Sequence, residues 1–390
     1  MIVKIVSSRL LCNPLEILLK IFRYVDLEDF PELFRVCRHI HHMKMGIIKN
    51  MSVRPEEIES LLRAALRHER LPATCGFLMI RCKNMPDLRF VANQENRDLL
   101  YKAIGDNCME FAEWMLRKGV SLDKDDSHTL PNLVRTTPNN KSRNLQIFLK
   151  TLAANDKSIF MLENNNHRSP LISAVTKFKH NIVELLLQLN IYNQLDCNNA
   201  LIALCRSPVI PPFQSHSNLY ESYKYRMAKT FDVLMKYGAE INYSSLMTYM
   251  GIGSSIIEAA ECIHLSSIDK FKQILQYKPN INLRGHLNNT ALIYVCSRDT
   301  TISHEVVELL LDNGAKIDLK NDFGETALMK ASQSGQEEIV KTLLKYKADV
   351  RTRNNRGMTA ESYCKKGTKS GTTIKKILYQ AYKDSFTCIR

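Results

Sequence analysis

Apolar residues recur every three or four positions along short stretches of this chain, and the clearest such stretch is 321–353, NDFGETALMKASQSGQEEIVKTLLKYKADVRTR. Ala327, Leu328 and Ala331 give a first helix a narrow face of small side chains, while Ile339, Val340, Leu343 and Leu344 recur at i and i+4 on a second. Asp322-Phe323-Gly324 supplies a turn whose glycine can take positive φ, and Thr326 stands where the first helix needs an N-cap. Ser334-Gly335 turns the chain between the two helices. Two helices of roughly 8 to 11 residues leave one side of the pair unburied, so the unit must stack on copies of itself. A copy does begin at Asn354: Gly324 returns as Gly357, and Thr326-Ala327 as Thr359-Ala360, at a period of 33 residues.

Weaker copies run back toward the start of the chain. The rhythm begins near Leu99 with Ala103, Phe111 and Met115-Leu116, then Gly119 to Asp123 in the closing position of a unit. Residues 124–145 are polar, carry Pro131 and Pro138, and read as an insertion; 145–152 reads as the second helix of a weak unit. Ser169-Pro170-Leu171 with 181–186, Asn199-Ala200-Leu201 with 234–239, 256–282 and 290–318 continue the series. The interruption at 206–224 carries Pro208, Pro211 and Pro212, and is read as a surface loop between two helices, in preference to a P-x-x-P ligand for an aromatic groove. Thr290 and Thr326 lie 36 residues apart, which places a small insertion at 298–303. The last unit loses its apolar pattern after Glu361 and ends in a capping helix with Ile374, Ile377, Leu378 and Ala381.

This unit resembles the ankyrin repeat, whose pattern runs D-x-x-G-x-T-P-L-H-x-A-A-x-x-G-H with a later L-L-x-x-G-A. Ala327 replaces its proline, Met329 its histidine and Lys347 its glycine. The resemblance implies an all-α solenoid of helix-turn-helix units over 97–353, closed by a capping repeat with a basic tail at 354–390.

A different pattern opens the chain. In 13–40, NPLEILLKIFRYVDLEDFPELFRVCRHI, Asn13 is a good N-cap, Pro14 suits the first helical position and Glu16 can reach back as in a capping box. Ile17, Leu18, Ile21, Phe22 and Val25 form a wide apolar stripe, and a second helix follows around Val36 and Cys37. These residues resemble an F-box, a helical module with the pattern L-P-x-E-I-L-x-x-I-F-x-x-L, then D-L, then V-C-R-x-W. The match lies in Pro14, Glu16, Ile17, Leu18, Ile21, Phe22, Asp29, Val36, Cys37 and Arg38; Asn13, Val25, Phe30 and Ile40 depart from it. It implies an F-box-like module at 10–50 in which Pro14, Ile17, Leu18, Ile21, Phe22, Val36 and Cys37 meet a Skp-type adaptor protein. Residues 51–96, with a helix expected at 55–68, read as a connector or degenerate repeat.

Composition leaves this picture standing. The 390 residues are 45% hydrophobic and 24% charged, as in an ordinary globular protein, and no apolar run approaches the ~20 residues a membrane span needs. The start, MIVKIVSSRLL, is not followed by the apolar core and cleavage site of a secretory signal. Eleven cysteines without a C-x-x-C pair suit reduced thiols in the cytoplasm. Charge does add something: of the net +14, residues 341–390 hold thirteen Lys or Arg against three acids, a local +10. A solvated terminal cap is the preferred reading of that end over a nucleic-acid contact.

No catalytic, metal or cofactor constellation emerges. Cys37, His39, His41 and His42 lack a second ligand pair at zinc spacing, and 366–371 lacks the order of a phosphate-binding loop. No small-molecule substrate is expected. The variable turn and helix-end positions of the array are the candidate partner surface: His286, Leu287, Asn289, Asp322, Phe323, Glu325, Gln333, Arg353, Asn355 and Arg356. Phe323 is the most telling, because an aromatic on a turn is better buried in a partner than left in water.

Together the two resemblances imply the substrate-recognition subunit of a Skp-cullin-F-box ubiquitin ligase, holding an unknown target protein on its repeats without catalysis of its own. An F-box joined to ankyrin repeats is similar to proteins by which intracellular bacteria and large DNA viruses redirect host ubiquitination, which implies the host cytosol. The alternative is an ankyrin scaffold without ubiquitin coupling.

Overall fold

The computed structural model describes residues 94–105, 108–123, 128–136, 142–163, 168–207, 218–248, 251–262, 268–298 and 303–387. The F-box-like module at 10–50, with Pro14, Ile17, Leu18, Ile21, Phe22, Val36 and Cys37, and the expected helix at 55–68 lie outside the described residues. The chain divides into two compact units, Met1–Pro170 and Leu171–Arg390.

In the described part of the first unit, α1 (Gln94–Gly105) pairs with α2 (Met109–Arg117), and α3 (Thr129–Thr136) precedes α4 (Ser142–Asn155). α1 packs on α3 and α2 on α4, so the two helix pairs stack. Leu100, Ala103, Phe111, Met115, Leu133, Val134, Phe148 and Leu149 fill the space between them. The stretch 124–145, read from its polarity as an insertion, therefore contains a helix of the stack. Pro131 lies in the first turn of α3, where the missing N–H has no helical partner to lose, and it is buried with Leu130.

In the second unit two rows of helices run side by side. The first-helix row is α5 (Pro170–Val175), α7 (Gln194–Arg206), α9 (Ser255–Glu261), α11 (Ala291–Ser297) and α13 (Ala327–Ser334), continued by a 3-10 turn at Ala360–Tyr363. The second-helix row is α6 (His180–Gln188), α8 (Asn218–Lys236), α10 (Ile268–Gln276), α12 (Ser303–Asp312) and α14 (Glu337–Lys345), closed by α15 (Lys369–Thr387). From α7 onward each first helix packs on the next, and from α6 onward so does each second helix. Small side chains make the first row possible: Ala200, Ala259, Ala260, Ala291, Ala327 and Ala331 are wholly buried. Leu and Val fill the second row, as at Val306, Val307, Leu310, Val340 and Leu343.

The caps follow the sequence closely. Thr290 accepts from the Ile293 N–H and Thr326 from the Met329 N–H, which opens α11 and α13. Gly335 closes α13 with φ 81°, as its place in the pattern required. One element has no precursor in the helical pattern: an antiparallel hairpin, β1 (Ser244–Thr248) with β2 (Gly251–Ser254), pairing Ser244 with Ser254 and Ser245 with Gly253. It stands where later repeats have a tight turn, and β2 lies against the 3-10 turn at His286–Asn288. The fold is an all-α solenoid with this one short hairpin among the described residues.

Candidate functional site

The turns that join one repeat to the next form a continuous edge. In three successive turns the same bond closes the loop: Gly285 N–H to Asn289 O at 2.8 Å, Asn321 N–H to Glu325 O at 3.0 Å and Asn354 N–H to Met358 O at 2.9 Å. Equivalence follows from that register. Leu287, Phe323 and Arg356 occupy one tip position, and Arg284, Lys320 and Arg353 the position just before each loop. The tips are also bonded to each other, since the Asp322 N–H donates to Leu287 O at 3.0 Å and the Asn355 N–H to Phe323 O at 3.1 Å. Within a turn, Asn321 Oδ1 accepts from the N–H groups of Phe323 at 3.0 Å and Glu325 at 2.8 Å. Asn354 repeats this with Arg356 at 2.8 Å and Met358 at 2.9 Å. Gly324, at φ 73°, is required twice over: a side chain there would be strained, and its Cβ would stand 2.7 Å from the Asn355 backbone nitrogen.

A rigid backbone thus holds side chains out to solvent. Phe323 is 50% exposed and Leu287 40%. His286, Asp322, Gln333, Arg353, Asn355 and Arg356 are exposed as well, and Asn289 is half-buried. Some of these are committed to holding the edge: Asn355 donates to Asp322 O at 2.8 Å, Asp322 accepts from Asn288, and Asn289 accepts from Asn321 at 3.0 Å. The cations before the loops form a ladder. Arg284 donates to Lys320 O at 2.8 Å, Lys320 to Arg353 O at 3.0 Å and Arg353 to Gly357 O at 2.7 Å. Carbonyl acceptors orient these groups without cancelling their charge, so an apolar row, Leu287 and Phe323, runs beside a cationic one. Arg284 and Lys320 are absent from the residues chosen by sequence, although counting back from Arg353 by one repeat and then another reaches them.

Glu325 differs from the sequence expectation. It is 7% exposed and faces inward, paired with Lys330 at 2.5 Å and accepting from Tyr363 at 2.7 Å and Asn321 at 3.1 Å. Burial works to raise its pKa, but the bonds from Lys330, Tyr363 and Asn321 together hold its carboxyl below the usual range. Burial, and the bond to Glu325, push the Tyr363 phenol up. This side chain fastens the last repeat to the cap and is not offered to a partner.

Among the described residues no group of three His, Cys, Asp or Glu side chains is placed to hold a metal ion. No helix among them is long and apolar enough to cross a membrane.

Paired helices in two stacked rows, with turns bonded edge to edge and tips standing in solvent, have the architecture of an ankyrin solenoid. The family model for ankyrin repeats in three copies matches residues 256–354. Among curated relatives, a probable E3 ubiquitin-protein ligase of Oryza sativa subsp. japonica is 33% identical over 100 residues, 25% of this chain and 19% of the relative. A putative ankyrin repeat protein of Acanthamoeba polyphaga mimivirus is 36% identical over 80 residues, 20% of this chain and 19% of the relative. An E3 ubiquitin-protein ligase of Arabidopsis thaliana is 47% identical over 47 residues, 12% of this chain and 9% of the relative. The chain thus spans a fifth or less of the length of each of these three.

Proposed function

We propose that this protein is a non-catalytic receptor: its ankyrin array holds a partner protein along the turn edge, and its N-terminal segment couples that partner to a ubiquitin ligase through a Skp-type adaptor. The binding half rests on one observation, the exposure of Leu287 and Phe323 on turns whose backbones are fixed by inter-repeat bonds. Because each is already about half covered, burying the rest of Leu287 and Phe323 in a partner contributes about 1 kcal/mol each, and little conformational freedom is lost in a turn that is already rigid. The cationic row of Arg284, Lys320 and Arg353 favours partner segments that carry acids beside their apolar residues.

The ubiquitin half rests on the F-box resemblance of residues 13–40 and on the names of the two plant relatives, one an E3 ubiquitin-protein ligase and the other named as a probable one. In such an assembly the receptor works by proximity, raising the local concentration of the bound target beside the enzyme that modifies it. The proposed compartment is the cytosol, that of a host cell if the protein comes from a pathogen. Capture of a purified Skp-type adaptor by the intact chain tests the coupling. Binding is expected with the natural sequence and is expected to vanish when Leu18 and Phe22 are both changed to Ala. Adaptor binding that survives this double change contradicts the assignment, and partner capture without any adaptor binding leaves the array as a scaffold.

A further inference from the structure

The turn edge has a period, and a period selects the shape of the chain that fits it. α11, α13 and the 3-10 turn at Ala360–Tyr363 pack in succession, and packed helices stand about 8–10 Å apart. The turns that lead into them recur at that spacing and are held to it by the bonds from the Asp322 N–H to Leu287 O and from the Asn355 N–H to Phe323 O. Two rows of side chains ride on these turns. Leu287, Phe323 and Arg356 stand at the tips, with Arg284, Lys320 and Arg353 three residues earlier, and all six are exposed. Among the described residues none of the four cations is paired with a carboxylate. The acids of this edge, Asp318 and Asp322, are turned to the Asp349 N–H and to Asn288. One row thus reads apolar, apolar, cationic, and the row beside it is cationic throughout.

We propose that this edge takes an extended segment of a partner protein in the polyproline II conformation, apolar at every third residue with an acid beside each apolar one. The inference rests on the reading of the turn edge as the partner surface. A polyproline II chain rises about 3.1 Å per residue with three residues per turn, so one face repeats every ~9.3 Å, within the spacing of the turns. Other conformations miss that spacing. A β-strand returns a side chain to one face after about 6.6 Å or 13 Å, and an α-helix only at its seventh residue, about 10.5 Å on. The three faces of the segment then have separate tasks: one lies on Leu287 and Phe323, the next meets Arg284, Lys320 and Arg353, and the third stays in water. Because Arg356 ends the tip row, the apolar row of the segment should end in an acid there. Little ordering opposes the contact, since the turns are already bonded together and a polyproline II segment is extended before it binds.

The test uses the full chain and three fluorescent peptides: Leu-Glu-Pro repeated three times, the same triads with lysine for glutamate, and a helical peptide whose leucine and glutamate pairs recur every seven residues. The first is expected to bind at least roughly tenfold more tightly than either of the others. Phe323→Ala and Lys320→Glu should each weaken it by roughly tenfold at an unchanged melting temperature, whereas Lys376→Glu on α15 should leave it unchanged. Register gives a sharper readout. Glutamate for leucine at one end of the triad peptide, and not at the other, should strengthen binding, and Arg356→Leu should reverse that preference. Tighter binding of the helical peptide overturns the inference, and if Leu287→Ala with Phe323→Ala abolishes that binding, the edge still stands as the partner surface. Failure of the Leu-Glu-Pro peptide to bind, equal binding of the acidic and basic triads, or indifference to both Phe323→Ala and Lys320→Glu overturns it as well. Loss of a captured partner protein in the same double variant then decides the reading of the edge by itself.

Discussion

The residue that ends each second helix carries a cost that depends on its side chain. Gly119, Gly238 and Gly314 take φ of 97°, 91° and 90° there, while Asn190, Lys278 and Lys347 take 52°, 49° and 66° at the equivalent place. The first closing bond is the same in each case, although Lys278 is followed by Pro279, which has no N–H for the second. The Gly314 N–H donates to Leu311 O at 3.0 Å and the Lys347 N–H to Leu344 O at 2.9 Å, and Ala315 and Ala348 follow with bonds to Leu310 and Leu343. A left-handed lysine costs about 1–2 kcal/mol that a glycine does not, set against the glycine's greater freedom when unfolded. Lys278→Gly and Lys347→Gly should therefore each stabilise the array by about 0.5–1 kcal/mol in urea unfolding, and Gly314→Ala should destabilise it by about 1 kcal/mol. Nothing stands within 4 Å of a Cβ at Gly314, so backbone strain alone would act. A loss of stability in Lys347→Gly contradicts this account. The left-handed site was legible from the repeat pattern, since Lys347 falls on the family's glycine. The inward turn of Glu325 was not, because Asn289 and Met358 occupy the equivalent position and a partner set of Lys330, Tyr363 and Asn321 exists only in the folded chain.

Among the elements, α10 does more than fill its row. Lys270 is 0% exposed and donates to Cys205 O at 3.0 Å and Ser207 O at 2.5 Å, the carbonyls at the end of α7. Its neighbour Asp269 accepts from Tyr220 and pairs with Lys224 at 3.4 Å, both in α8. The two residues thus clip the chain on either side of 208–217, so that α7 and α8 keep their rows despite the interruption. A single lysine in an amphipathic helix gives no sign of this in sequence. The nearby Glu258 is also buried, pairs with Arg206 at 2.9 Å, and is pushed up by that burial. Burial lowers the Lys270 ammonium to about 8, well under the usual lysine value. The unfolded chain then binds a proton that the folded chain lacks between about pH 8 and the ordinary lysine pKa, so the lysine's contribution to stability rises with pH across that window. Below it both states are protonated and the cost of burying the charge is fully present. A neutral amine still has hydrogens for both carbonyls. Measured by denaturant unfolding at a series of pH values, the stability advantage of the natural chain over Lys270→Met should grow from pH 8 upward; a pH-independent difference contradicts the buried-charge reading.

At the scale of the molecule, the period of 33 residues was enough to reveal a stacked array, because every helix pair must meet a copy of itself to bury its faces. The period could not reveal the hairpin at Ser244–Thr248 and Gly251–Ser254, whose serines and glycines carry no apolar alternation. Nor could it reveal the helix hidden in 124–145, where the buried set is only Leu130, Pro131, Leu133 and Val134. The proposed partner surface of the array is the edge where apolar tips run beside a cationic ladder. The most direct measurement is the affinity of a protein captured from cell lysate by the intact chain, compared with the Leu287→Ala, Phe323→Ala double variant at matched thermal stability. A loss of roughly tenfold or more is expected for the double variant, with the α-helical circular dichroism unchanged. Equal affinity of the two proteins for that partner would contradict it.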